Sequence, residues 1–254
     1  MAQKHYNAAY LEDTATFLQG LKTYSYKPFL ETGSGTIIDL GCGTGIDVLN
    51  LSRTLGNQVK VVGIDHDPAL LEKGKQAAEL GQNVDFICSE ATGIPFDTES
   101  IEGLRAERLV QHLTQPDETI SEARRVLKPG KPLVLVETDW ASLVFYHGEI
   151  TVQQKLIHYL TETKINNGYA ARRLTQYLEH AGLQEIKTEI FPFTLKSLKE
   201  ANDYLWIELI LGEMKEKNYL SEQEHKAFVT GLKNADQNKY FACSINIVVV
   251  SSIK

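Results

Sequence analysis

A doubly wound α/β fold built on a parallel sheet is the class this sequence predicts, on three observations. Short β-branched runs alternate with amphipathic stretches from residue 36 to 139, the pattern of repeated βα units whose sheet is covered on both faces. The first run, Ile37-Ile38-Asp39-Leu40, opens into Gly41-Cys42-Gly43-Thr44-Gly45. Such a glycine-punctuated turn lets backbone approach a ligand and aims a helix N-terminus at it. The second run, Val59 to Ile64, ends in another acid, Asp65, which suits a pair of ribose hydroxyls.

The elements follow in order. Residues 1–32 read as helix with aromatics at Tyr6, Tyr10, Phe17, Tyr24 and Tyr26, a set that packs on the core edge or closes over a ligand. Strands are predicted at 36–40, 59–65, 84–89, 101–107 and 131–139, and helices at 45–56, 68–81 and 117–128. Asp67-Pro68 supplies an N-cap followed by proline at the first helical position. Lys128-Pro129-Gly130 ends the last of these helices and turns into strand five. Beyond 140 the alternation breaks: 149–167 reads as an added helix, 170–181 as helix, 184–193 as strand, and 197–235 as mostly charged helix. The final strand, Cys243 to Ser251, carries Val248-Val249-Val250, a run for a strand buried on both faces. In a sheet of this kind the ligand sits beyond the carboxyl ends of the strands.

The loop chemistry selects a ligand class. The dinucleotide fingerprint G-x-G-x-x-G requires a third glycine where this chain has Ile46, and no Walker-type Gly-Lys-Ser/Thr run is present. The loop holds no lysine or arginine for a phosphate, and Asp39 and Asp47 flank it. A cationic cofactor without phosphates fits, and S-adenosylmethionine, with its ammonium and sulfonium, is one.

Here the chain resembles the class I S-adenosylmethionine-dependent methyltransferases, within their small-molecule, quinone-methyltransferase-like (type 11) group. Asp39-Leu-Gly-Cys-Gly-Thr-Gly45 is similar to the family's first motif, and Val61-Val-Gly-Ile-Asp65 to its second strand. Ser89-Glu90-Ala91, Glu107-Arg-Leu-Val-Gln-His112 and Glu122-Ala-Arg-Arg-Val-Leu-Lys-Pro-Gly130 resemble its later motifs. The resemblance covers residues 33–140 well and weakens afterwards. It implies one domain over 1–254 with a seven-stranded sheet of order 3-2-1-4-5-7-6, strand seven antiparallel. Residues 1–32 would be a helical lid, 33–139 the cofactor-binding core, and 140–169 and 197–238 cap insertions around the acceptor. It also implies roles. Asp39 would reach the cofactor's amino-acid end, Gly41, Gly43 and Gly45 would give backbone access, and Asp65 would accept the ribose hydroxyls. His66 would lie over the adenine, Glu90 would accept from its amine, and Ala91 would support the ring edge. Glu107 and Arg108 would face the methyl group, and Tyr10 would contribute from the lid. His112, just past strand four, is the candidate base. Asp139, Trp140 and His147 follow strand five, where the acceptor is expected, and Trp140 suits stacking on it. Each has a bland alternative, an ion pair, a core aromatic or an exposed loop residue.

Composition narrows the rest. The chain has 254 residues, 43% of them hydrophobic, enough for a sizeable core. A net charge of −7 disfavours nonspecific nucleic-acid binding. Cys42, Cys88 and Cys243 lack metal-ligand spacing and read as buried reduced thiols, which suits a cytoplasmic protein. No run approaches the ~20 apolar residues of a membrane span. An Asn/Asp-Pro-Pro-Tyr/Phe tetrapeptide of base and amide methylation is absent, since that position reads Arg105-Ala-Glu-Arg-Leu109, and there is no Pro-Cys pair or metal cluster. The expected reaction is methyl transfer to O, N or C of a small organic acceptor. A noncatalytic S-adenosylmethionine-binding sensor or partner subunit is the first alternative, and a nicotinamide-dependent oxidoreductase the second.

Overall fold

The structure, a computed structural model, describes residues 19–78 and 81–254. Its seven strands are β1 (Gly35–Leu40), β2 (Val59–Asp65), β3 (Val84–Cys88), β4 (Gly103–Glu107), β5 (Pro132–Phe145), β6 (Gln184–Leu195) and β7 (Cys243–Ile253). They form one sheet of order β3-β2-β1-β4-β5-β7-β6 with β7 antiparallel. The helices are α1 (Gln19–Tyr26), α2 (Ile46–Leu55), α3 (Pro68–Ala77), α4 (Pro116–Val126), α5 (Ile150–Tyr159), α6 (Ala170–His180), α7 (Leu198–Leu205), α8 (Ile207–Glu216) and α9 (Glu222–Gln237).

The described residues divide into two compact units. One holds the chain up to Glu137 together with Arg173–Glu189 and Val249–Lys254; the other holds Thr138–Arg172 and Ile190–Val248. In the first unit, β1 pairs in parallel with β2 on one side and β4 on the other. The chain reverses its direction of travel across the sheet there, so the crevice beyond the tips of β1 and β4 is the natural ligand position. Ile37, Ile38, Val61, Val62, Leu104 and Leu133 are almost fully excluded from solvent, as expected for strands covered on both faces. Asp67 caps α3: its Oδ1 accepts from the backbone N–H of Ala69 at 2.8 Å, with Pro68 in the first turn.

Gly45 shows why the loop ends in glycine. Its φ is +76°, and a Cβ there would stand 2.4 Å from the Phe86 ring. The residue is required by backbone conformation and by packing between α2 and β3.

In the second unit, Leu156, Tyr159, Ile210, Leu211, Met214, Phe228 and Leu232 are buried together as its helical core. Three features depart from the expected pattern. The expected helix 149–167 ends in a π-type turn at Leu160–Lys164, and a Cβ on Gly168 would lie 2.2 Å from the Thr161 carbonyl oxygen. The 197–235 stretch is three helices, because Trp206 takes a left-handed conformation (φ 52°) between α7 and α8. Strand β5 runs six residues past its expected end, with alternating burial at Leu143 and Phe145 against exposed Val144.

Candidate functional site

The sequence places acids at the tips of β1 and β2, and the structure gives them different surroundings. Asp39 lies opposite Arg105 in the β1–β4 register. Arg105 is fully buried, and its Nη1 donates to Asp39 Oδ1 at 3.1 Å. The same guanidinium reaches Asp47 Oδ2 at 3.7 Å, donates from Nη2 to Glu107, and donates from Nε to Ser25 Oγ at 2.9 Å. Helix α1 completes the cluster: Lys22 Nζ pairs with Asp47 at 2.5 Å and Glu107 at 3.3 Å, and the Tyr26 hydroxyl donates to Asp47.

Three carboxylates thus share two buried cations. Burial pushes Asp39 up to about 7, against the pull of Arg105. Burial also opposes ionisation of Asp47, but Arg105 and Lys22 outweigh it and hold that group below the usual carboxylate range. Glu107 is likewise lowered, burial being overcome by Lys22 and Arg105. The acid carrying the unmatched charge is the one that most readily takes a proton.

Among the described residues, Asp65 meets no such buried cation. Its Oδ2 accepts from the Gly43 N–H at 2.8 Å and its Oδ1 from the Asp67 N–H at 2.9 Å. Each oxygen keeps a second lone-pair position. Three more loop amides turn inward: Gly41 and Cys42 donate to the Ile64 carbonyl at 2.7 and 3.1 Å, and Gly45 donates to Cys42 O at 2.9 Å.

Beyond the tips of β1–β4 lies a cavity of about 330 Å³. Its wall includes Gly41, Asp65, His66, Glu90, Ala91 and His112, all sequence-expected site residues. Its full lining lies within the first unit. His66 Nδ1 stands 3.4 Å from Asp65 Oδ1. His112 sits in a short 3₁₀ turn, Val110–His112, directly after β4.

Other expected site residues are engaged elsewhere. Asp39 and Glu107 belong to the buried cluster, and Arg108 Nε faces Glu107 Oε1 at 3.4 Å. Gly43 serves the cavity indirectly, by holding Asp65. In the second unit, Asp139 accepts from Arg172 Nε at 3.0 and 3.2 Å. His147 there sits among Phe145, Tyr240 and Phe241, with both ring nitrogens buried and lacking a hydrogen-bond partner. Burial lowers its pKa. Trp140 is half-buried in the same unit, and Tyr10 lies outside the described residues. Of the cysteines, Cys243 is buried, Cys42 half-buried and Cys88 exposed, so the expectation of three buried thiols is corrected at Cys88.

Residues 37–130, the stretch that builds this cavity, match the model of a methyltransferase domain. This stretch is similar to a methyltransferase domain, a match over less than half of the chain. A 37.1 kDa protein of a Streptomyces fradiae transposon, itself uncharacterized, is 32% identical over 145 residues, covering 57% of this chain and 42% of that protein. Demethylmenaquinone methyltransferase of Lactococcus lactis is 34% identical over 117 residues, covering 44% of this chain and 45% of the relative. The matched stretch therefore spans under half the length of either relative. Among solved structures, the YcgJ protein of Bacillus subtilis superposes with a TM-score of 0.61 at 18% identity, covering 91% and 98% of the two chains. Haemonchus contortus phosphoethanolamine N-methyltransferase 2, solved with phosphomonomethylethanolamine and S-adenosylhomocysteine, gives 0.57 at 17% identity over 92% and 53%. The [4+2]-cyclase SpnF gives 0.57 at 19% identity over 92% and 80%.

The first unit also holds residues that reading by motif passes over. Arg105 was visible as an arginine inside an apolar strand, a type almost never fully buried without a partner. Glu137 ends the run Leu133-Val-Leu-Val and is 1% exposed. Its Oε1 accepts from the Gln111 N–H at 3.2 Å, its Oε2 has no hydrogen-bond partner, and burial raises its pKa to about 8.

Proposed function

We propose that this chain is an S-adenosylmethionine-dependent methyltransferase acting on O, N or C of a small organic acceptor. One observation carries the reading: a strand-tip cavity whose acid, Asp65, keeps an acceptor position on each oxygen, beside a loop whose amides at 41, 42, 43 and 45 all have partners within the protein. Two vicinal ribose hydroxyls match the first feature. The second leaves those N–H groups without a phosphate to bind, unlike dinucleotide and Walker loops. The matched domain and the S-adenosylhomocysteine held by the Haemonchus enzyme support the same cofactor.

When bound, the cofactor supplies an electrophilic methyl group, which an acceptor lone pair takes in line while the carbon–sulfur electrons return to sulfur and an acceptor proton, where there is one, passes to water. The protein's part is to hold both reactants in a near-attack geometry. Asp65 anchors the ribose, Glu90 accepts from the adenine amine, Ala91 supports the ring edge and His66 covers it. Gly41 lines the wall, Gly45 sets the left-handed turn into α2, and Gly43 orients Asp65. Asp39 and Glu107 act on the cofactor's amino-acid end only through the cluster they share, Asp39 by holding Arg105 and Glu107 by holding Arg105 and Lys22. His112 is the wall residue that meets the acceptor, with Arg108 nearby in sequence; Asp139, Trp140 and His147 remain proposals for acceptor contacts from the second unit. A cytoplasmic location accompanies the reading, and no described helix is long and apolar enough to cross a membrane.

The test is transfer of label from methyl-labelled S-adenosylmethionine to a panel of quinols, phenols and amines. Label in any product, lost in Asp65→Ala, is the expected result. Binding of the cofactor without transfer to any acceptor class would favour the noncatalytic alternative.

A further inference from the structure

One wall of the cavity is held from below by a buried acid. The 3₁₀ turn Val110–His112 closes through its later N–H groups: His112 donates to Leu109 O at 2.9 Å and Leu113 to Val110 O at 3.2 Å. The N–H groups at its start, those of Val110 and Gln111, go to the Glu137 carboxyl on β5, Gln111 to Oε1 at 3.2 Å. A side chain distant in sequence thus caps the turn as an N-cap residue would. Val110, Gln111 and Glu137 are each 1% exposed. The other carboxyl oxygen, Oε2, is buried and has no hydrogen-bond partner. Ionised, the group would hold an unsolvated charge at that atom; protonated, it places a hydroxyl there at lower cost. The titratable groups around it are Arg108, which favours ionisation, Glu107, which opposes it, and His112 on the turn itself. Strand β7, beside β5 in the sheet, carries no charged residue. Burial outweighs Arg108 and raises the group to about 8. Above the cap, Leu109, His112 and Leu113 all line the cavity. Arg108 enters the turn in a left-handed conformation (φ 52°), which a non-glycine residue keeps where its surroundings impose it.

We propose that Glu137 is a positioning residue: as a neutral carboxyl it caps the 110–112 turn and fixes the wall that Leu109, His112 and Leu113 present to the ligand. The identity of that ligand rests on the methyltransferase reading; the capping of the turn does not. Ionisation of Glu137 sets a charge beneath the turn, and the turn must open for water to reach Oε2. The closed wall is therefore linked to the bound proton. Affinity for the ligand is full below the folded-state value of about 8 and falls as pH rises through it.

The test is calorimetric titration of S-adenosylhomocysteine into the wild-type protein, Glu137→Gln and Glu137→Leu on both sides of about pH 8, with amide hydrogen exchange at Val110 and Gln111 followed in the unliganded proteins. The amino group of the ligand titrates alike against all three, so the difference between profiles is the readout. Wild-type affinity is expected to fall above that pH by up to about tenfold per unit more than the affinity of Glu137→Gln. Glu137→Gln keeps an acceptor oxygen for both N–H groups and cannot ionise, so it is expected to match wild type in the acid range. Glu137→Leu leaves both N–H groups without their acceptor and is expected to bind about tenfold more weakly throughout. Exchange protection at Val110 and Gln111 should follow suit: lost at high pH in wild type, constant in Glu137→Gln and low in Glu137→Leu. A Glu137→Gln profile parallel to wild type overturns the proposal. So does a folded Glu137→Gln that binds about tenfold more weakly than wild type in the acid range. Neither result depends on Glu137→Leu folding. If wild-type protein binds no S-adenosylhomocysteine at any pH, the methyltransferase reading fails and exchange alone decides the cap. Protection that falls with pH in wild type and not in Glu137→Gln upholds it, and identical profiles overturn it.

Discussion

Asp39 and Asp65 end adjacent parallel strands, and in sequence they carry the same signal. Their surroundings separate them. Asp39 is 2% exposed and faces the Arg105 guanidinium across the β1–β4 register, whereas Asp65 is 8% exposed, lies opposite Cys88 on β3, and is held by two backbone N–H groups at the cavity wall. The residue on the neighbouring strand therefore decides whether a strand-tip acid becomes part of the scaffold or part of the site. Glu137 at β5 is a third outcome: buried, held by backbone N–H, and pushed toward its neutral form.

The largest effect should come from removing the cation that distinguishes Asp39. Arg105→Met leaves Asp39, Asp47 and Glu107 buried around an apolar side chain. Breaking such a set costs about 3–5 kcal/mol, a fall of roughly 10 °C in Tm for a chain of this size. A loss below about 1 kcal/mol in denaturant melts would mean that the cluster is hydrated and that the contrast with Asp65 is false. Next is the loop between the two acids. Gly45→Ala meets both a left-handed backbone and the Phe86 ring, and should cost about 2–3 kcal/mol. Phe86→Leu in the same chain should recover only the packing share, and full recovery would show that backbone conformation imposes nothing there.

The smallest effect sharpens the third outcome. Glu137 keeps its proton in the folded state up to about pH 8, while the unfolded chain releases it near the ordinary value of 4.5. Between those values the folded state binds more protons, so stability falls as pH rises, by at most ~1.4 kcal/mol per pH unit from this group. Asp39, raised to about 7, adds a slope of the same sign at lower pH. Glu137→Gln should flatten the profile chiefly between pH 5 and 8. Urea melts at four pH values would read this, and an unchanged slope would place the proton elsewhere.

Much of this was legible in the residues. The β-branched runs located the strands of the first unit to within two residues, because parallel strands buried on both faces leave a continuous apolar signal. The glycine spacing and Asp65 pointed to the cavity, since a backbone constraint must be written into sequence. What was not legible depends on pairing across the sheet. Arg105 reads only as the absence of another motif until β4 is laid beside β1. Glu137 reads as the end of a strand until the 110–112 turn is seated on it. Trp206 breaks a helical pattern without the glycine or proline that normally marks a break. The continuation of β5 past Asp139 was hidden because its half-buried alternation begins only after the polar step at Asp139.

The most direct measurement is calorimetric titration of S-adenosylhomocysteine into the wild-type protein, Asp65→Ala and Asp39→Asn. Two charge-assisted hydrogen bonds to the ribose are worth about 3 kcal/mol together, so Asp65→Ala should bind at least roughly 100-fold more weakly. Asp39→Asn should bind within about threefold of wild type, because Asp39 faces Arg105 in the buried cluster and not the cavity. Wild-type protein that does not bind, or an Asp65→Ala variant that binds as well as wild type, would contradict the account.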